Sequence, residues 1–162
     1  TLSLHDALPI SPNADAEGVF ENDPWFPNVS LGEVREACLL DGTVTKARLL
    51  NAIADAVDSV NGELQAFKEM QRANGHQSLI EVPADEIGGK SKNAYRYMRA
   101  VNACVMALVA EAHREIDTTP HSEGKEGRIR EKIEAKIAEH RRAMRWAISD
   151  ILGIQRSTIE LI

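Results

Sequence analysis

AVNACVMALVA, residues Ala100 to Ala110, is apolar almost all the way round, with Asn102 as its single polar interruption. A helix without a polar face has to be surrounded by other helices. The stretch sits inside a longer helical pattern that runs from Asn93 to Ile116. Tyr95, Met98, Val101, Val105, Leu108 and Ala112 fall on one side of it, and Ala103, Ala107 and Ala110 form a second, smaller surface that lets another helix approach closely. The fold class that follows is all-α: a small bundle of about four helices around this one, with an extended N-terminal arm and an extended C-terminal tail.

Working outward, the neighbours are legible from caps and periodicity. Thr45 caps a long helix expected over Lys46 to Asn74 and ended by Gly75, with Leu49, Ile53, Ala56, Val57, Val60, Leu64, Phe67 and Met70 as one stripe. Gly62 within it is expected to mark a close helix crossing. Before it, Ser30 and Glu33 have the capping-box spacing and open a short helix over Leu31 to Leu40, followed by an Asp41-Gly42-Thr43 turn. A last helix over Arg128 to Leu152, stopped by Gly153, shows Ile129, Ile133, Ile137, Met144, Ala147, Ile148 and Ile151 on one face, with His140 in the step between Ile137 and Met144. Between the second helix and the central one, His76 to Lys90 contains Pro83 and Gly88-Gly89, which exclude a continuous helix. We expect an exposed, ordered loop with one helical turn.

The ends read differently. Residues 1–10, TLSLHDALPI, look like the in-frame translation of a sequencing adaptor and are set aside from fold reasoning. The first methionine is Met70, so the natural start is expected to be missing. Residues 11–23 have little to bury and are expected to be a mobile tail. Trp25 and Phe26 stand between Pro24 and Pro27, which forces an extended path. They are expected to dock either on the domain's own core or on a neighbouring subunit. The helical domain then covers residues 24–153. Residues 154–162 form an extended tail in which Ile159, Leu161 and Ile162 fit strand addition to a partner.

Composition narrows the function. With 162 residues, 43% apolar and 27% charged, the chain suits one globular domain, and a net charge of −6 argues against a protein that grips nucleic acid by its phosphates. Cys38 and Cys104 lack CxxC spacing and read as small buried apolar residues. No run approaches the ~20 apolar residues of a membrane-spanning helix, so no membrane partner is expected.

No stretch specifies a reaction. None of the five histidines follows a glutamate by three residues, which removes the helix-borne di-iron pattern, and HExxH, GxSxG, GxGxxG and the P-loop are all missing. Asp85 and Glu86 lie together in the Pro/Gly loop, but two carboxylates are too few to hold a hard cation. The last helix is basic through Arg128, Arg130, Lys132, Lys136, Arg141, Arg142 and Arg145, diluted by Glu131, Glu134 and Glu139, which is a solvated face or a contact for phosphate or acidic protein. The first two helices superficially resemble a helix-turn-helix, yet the second carries Asp55 and Asp58 and has no reading face. We expect no catalytic residue, cofactor or metal.

Several ordered stretches resemble the phage head completion/stabilisation protein (GPL) family of contractile-tailed phages. They are Trp25-Phe26-Pro27-Asn28, Asp41-Gly42-Thr43-Val44-Thr45 with Arg48-Leu49, Val82 to Ile87, Tyr97 to Ala103, Met144 to Ile148, and Ile159 to Ile162. The resemblance implies a structural virion protein that completes and stabilises the DNA-filled head at the portal vertex and provides the head–tail joining surface. Its implied partners are the portal protein, tail or terminator proteins, and further copies of itself in a ring of about twelve. Packaged DNA would lie nearby without sequence-specific contact. The expected interface residues are Trp25, Phe26, Asp85, Glu86, Arg141, Arg142, Arg145, Ile159, Leu161 and Ile162. The alternative is a helical DNA-binding or packaging-associated phage protein.

Overall fold

The computed structural model describes residues 17–116 and 125–155. Five α-helices carry the architecture: α1 (Leu31–Ala37), α2 (Lys46–Glu63), α3 (Gln65–Ala73), α4 (Lys92–Ile116) and α5 (Lys125–Leu152). Two short antiparallel ladders accompany them, β1 (Val19–Phe20) with β2 (Val29–Ser30) and β3 (Glu86–Ile87) with β4 (Lys90–Ser91). The all-α class expected from the central stretch is what the structure shows. α4 packs most extensively against α5 and also against α2. Tyr97, Ala100, Val101, Cys104, Val105 and Ala107 are fully buried along it.

The caps act where the sequence places them. Ser30 Oγ accepts from Glu33 N at the start of α1, and Thr45 Oγ1 accepts from Arg48 N at the start of α2, each satisfying an otherwise orphaned N–H. α1 ends early, at Ala37, because the chain turns through Leu39 at φ 53, with Leu40 N donating to Arg35 O. That geometry normally belongs to glycine. Leu39 is 91% exposed and gains no burial in exchange.

Several expectations are corrected. The helix expected over Lys46 to Asn74 is two helices, because the backbone bends at Leu64 (φ −96, ψ 3). The bend carries Met70 off the buried stripe to 53% exposed. Gly62 marks no close crossing: a Cβ built there meets nothing within 4 Å. On α4 the outward residue is Tyr95, 47% exposed, while Tyr97 points into the core. Leu108 is only partly buried, and Ile129, in the first turns of α5, is 52% exposed. The loop from His76 to Lys90 has its expected helical turn as a 3-10 turn at Leu79–Glu81, and the following residues form a hairpin. Gly88 (φ 58) and Gly89 (φ 76) make its two-residue connection, since a tight hairpin of this hand needs φ > 0 at both positions.

The segment expected to be a mobile tail is fastened to the domain over its described part, residues 17–23. Val19 and Phe20 pair with Ser30 and Val29, and Glu17 receives Arg35 Nε at 2.7 Å. Residues 1–16, 117–124 and 156–162 lie outside the described residues, and with them the expected adaptor stretch, the first part of the arm and the end of the tail.

Candidate functional site

Trp25 and Phe26 are 3% and 4% exposed, so of the two docking places expected for them the chain's own core is the one they use. Aromatic packing and hydrogen bonds hold them there together. Phe26 stacks on Tyr97 at 5.2 Å between centroids, and Trp25 meets Phe26 edge-on at 5.0 Å. Trp25 Nε1 donates to His76 O at 3.1 Å, while Leu79 N donates to Trp25 O at 2.8 Å. Below them lies a closed ring of side-chain hydrogen bonds. Asn22 Nδ2 donates to Tyr97 Oη at 2.8 Å, Tyr97 Oη donates to Asn61 Oδ1 at 2.7 Å, and Asn61 Nδ2 donates back to Asn22 Oδ1 at 2.9 Å. Each member polarises the next, and the ring ties the N-terminal segment to α2 and α4 at once. Burial pushes the Tyr97 hydroxyl up to about 12. At the rim, the hydrogen bond from Lys68 Nζ holds the Asp23 carboxyl below its ordinary range.

Two open clefts lie among the described residues. The larger, about 780 Å³, has Ala94, Tyr95, Met98 and Asn102 of α4 as its floor. One wall is the hairpin, with Ile87 and Lys90; the other runs from Ile80 to Ala84. Ile80 and Ile87, 60% and 44% exposed, give it apolar patches, while Glu33, Glu81, Glu86 and Lys90 add charge to its lining. Asn102 Oδ1 is buried there and accepts no hydrogen bond, an unusual state for a buried polar atom. The second cleft, about 440 Å³, lies between the start of α2 and the end of α4, with Val44, Ala52, Leu108 and Val109 in its lining.

The expected contact residues divide by what they touch. Asp85 and Glu86 are both exposed, Glu86 lining the larger cleft, and Asp85 is loosely held, its carboxylate 3.8 Å from Lys92 Nζ. Arg141 is committed inside the chain: both carboxylate oxygens of Glu111 receive its Nη2, at 2.9 and 3.1 Å, which also raises its already high pKa. Arg142 lies over the Trp146 ring at 5.3 Å on the outward side of α5, and Arg145 is exposed one turn from it. His140 is half-buried and its pKa is lowered by that burial. Ile159, Leu161 and Ile162 lie outside the described residues. Sequence reasoning missed the clefts because their walls come from distant segments, although Gly88-Gly89 between Ile87 and Lys90 is a hairpin signal.

Among the described residues no group of three or more His, Cys, Asp or Glu could hold a metal ion, and no helix is long and apolar enough to cross a membrane. What the described residues present is a small helical bundle with open clefts in its surface.

The family model of the phage head completion protein (GPL) matches residues 20–162. The chain is also 36% identical over 149 residues to the head completion/stabilization protein of Escherichia phage P2, a match covering 92% of this chain and 86% of that one. The chain therefore belongs to the phage head completion protein family, as the ordered stretches implied, and its role is a structural one in the phage head. No solved structure matches it.

Proposed function

We propose that the chain joins the portal vertex once the genome is packaged, helps to retain it, and forms part of the surface to which the tail attaches, working as a ring of copies of itself, about twelve in number. The observation that carries this reading is family membership across residues 20–162, which takes in all of the helical domain. The geometry is compatible with it. The apolar cleft and the outward face of α5 lie on different sides of α4, because Tyr95, Met98 and Asn102 face the cleft while Arg96 and Arg99 face α5. A subunit with two unlike contact faces suits the head-to-tail pairing from which closed rings are built. Asp85, Glu86, Arg142 and Arg145, all exposed, are the charged groups we assign to such contacts, and the tail residues Ile159, Leu161 and Ile162 to the portal or a neighbouring subunit. The net charge of −6 leaves the packaged DNA a neighbour and not a ligand.

The test is direct. The purified chain is expected to co-sediment with its portal ring and to restore full, DNA-retaining heads to a phage defective in head completion. A chain that does neither, and instead binds one duplex sequence tightly as a dimer, would establish the DNA-binding alternative.

A further inference from the structure

A leucine at the surface is ordinary, and so is a left-handed residue just past a helix end, but one residue that is both needs an account. Among the described residues Leu39 alone, glycines aside, has positive φ, at 53, and its side chain is 91% exposed. Glycine makes such a turn without a Cβ clash and asparagine tolerates it, so the fold gains nothing from leucine there. The turn is nevertheless firmly held. Leu39 N donates to Glu36 O and Leu40 N to Arg35 O, while Arg35 Nη1 donates to Asp41 O and Val44 O at 2.9 Å each. Glu17 fixes the same guanidinium from the other side. A strained backbone that its surroundings keep in place, with an apolar side chain displayed at its apex, is accounted for by a contact outside the chain.

Charge says which surface receives it. Leu39 stands between Glu36 and Asp41, both exposed, and hydrogen bonds from Thr43 hold the Asp41 carboxyl below its ordinary range. Arg35, the only cation between Ser30 and Lys46, is engaged with Glu17. An apolar knob with an acidic border is complemented by the outward face of α5, where Trp146 is 38% exposed and Arg142 and Arg145 are exposed beside it. Knob and face lie on opposite sides of the subunit. Cys38 Sγ donates to Asn102 O at 3.6 Å, and Ala37 lines the same cleft as Asn102, so α1 ends on the Asn102 side of α4. Arg141 of α5 instead reaches Cys104 and Glu111, which stand about 200° and 180° round α4 from Asn102 at ~100° per residue. The two surfaces cannot meet within one chain, but they meet in successive copies arranged head to tail. We propose that Leu39 seats beside Trp146 of a second copy, with Glu36 and Asp41 facing Arg142 and Arg145 of that copy. This pairing deepens the ring reading above and rests on its head-to-tail arrangement.

Two measurements on the full chain test it. Leu39→Gly and Leu39→Asn are expected to melt at the parent's temperature or up to about 4 °C above it, while association between copies weakens about tenfold. A fall of more than about 2 °C in both variants would give the side chain a role inside the fold and overturn the proposal. Next, a photo-crosslinking residue replaces Leu39 in isotopically mixed copies, both in the concentrated purified chain and in DNA-filled heads that it has completed. Adducts between copies, mapped to residues 138–149 by mass spectrometry, are expected, with about fivefold lower yield on adding Arg142→Glu/Arg145→Glu. Adducts confined to another virion protein or to another part of this chain, or no adducts in either setting, overturn the proposal, as does a yield that the charge reversal leaves unchanged. Adducts on α5 from a chain that does not co-sediment with its portal ring would leave the pairing standing and remove the portal placement. Portal co-sedimentation without adducts on α5 would do the reverse.

Discussion

Replacing Tyr97 by Phe deletes one oxygen and leaves the ring stacked on Phe26, so the change isolates the hydrogen-bond ring from the aromatic packing around it. Two bonds go, from Asn22 Nδ2 and to Asn61 Oδ1. Asn22 Nδ2 keeps Pro27 O as an acceptor at 2.8 Å, but Asn61 Oδ1 is left without the donor it has now. At about 0.5–1.5 kcal/mol for each bond, with the stranded part-buried acceptor at the upper end, the loss is about 2–3 kcal/mol. In a chain of this size that is about 4–12 °C in Tm. Urea unfolding is the assay, with an unchanged slope showing that only stability has moved. Asn61→Ala and the double variant complete a cycle, in which the bonded pair is expected to couple by about 1 kcal/mol or more. The same hydroxyl predicts an alkaline limb. Its folded pKa, raised to about 12 from 10.0, means that its contribution is whole below pH 10 and is lost as pH rises toward 12, and Tyr97→Phe should lose less stability across that window than the parent. A Tyr97→Phe chain within about 0.5 kcal/mol of the parent, or strictly additive with Asn61→Ala, would refute the idea that the ring acts as a unit.

Gly62→Ala should stabilise the chain by about 0.5–1 kcal/mol, since an added Cβ meets nothing and glycine weakens a helix interior; a destabilised variant in chemical denaturation would reveal a crowding that the structure lacks. Leu49→Ala, at a fully buried position, should cost about 2–5 kcal/mol, and Leu108→Ala, at the open wall of the smaller cleft, about 1 kcal/mol. Equal losses in the two unfolding curves would mean that Leu108 is covered. The Asp23 carboxyl, held below its unfolded value chiefly by Lys68, contributes stability above pH 4 that is lost as pH falls through the folded pKa. Acid titration of Asp23→Asn should therefore be flatter below pH 4 than that of the parent, and parallel titrations would remove the Lys68 pair from the acid limb.

The long elements were legible because each announces itself within a few residues. Ser30 and Thr45 name the starts of α1 and α2, and the continuous apolar surface from Ala100 to Ala110 names the centre. What stayed hidden depends on residues far apart in sequence. Asn22, Asn61 and Tyr97 have no pattern in common, and the ring they make spans separations of up to 75 residues. The strands are two residues long, too short for a period to show. The bend at Leu64 divides an unbroken apolar stripe, so periodicity alone had no reason to stop there. Arg141 and Arg142 are adjacent and identical in type, yet one is committed to Glu111 and the other faces outward over Trp146; only the position of α4 distinguishes them.

Cys38 and Cys104 are buried and unpaired, and burial raises both thiols, Cys38 to about 11. A thiol reacts as its thiolate, so near neutral pH neither offers disulfide, peroxide or metal a usable nucleophile. A virion component is made inside a reducing cell and then waits outside it in air. For this domain, burial of both thiols is expected to keep them reduced through that passage.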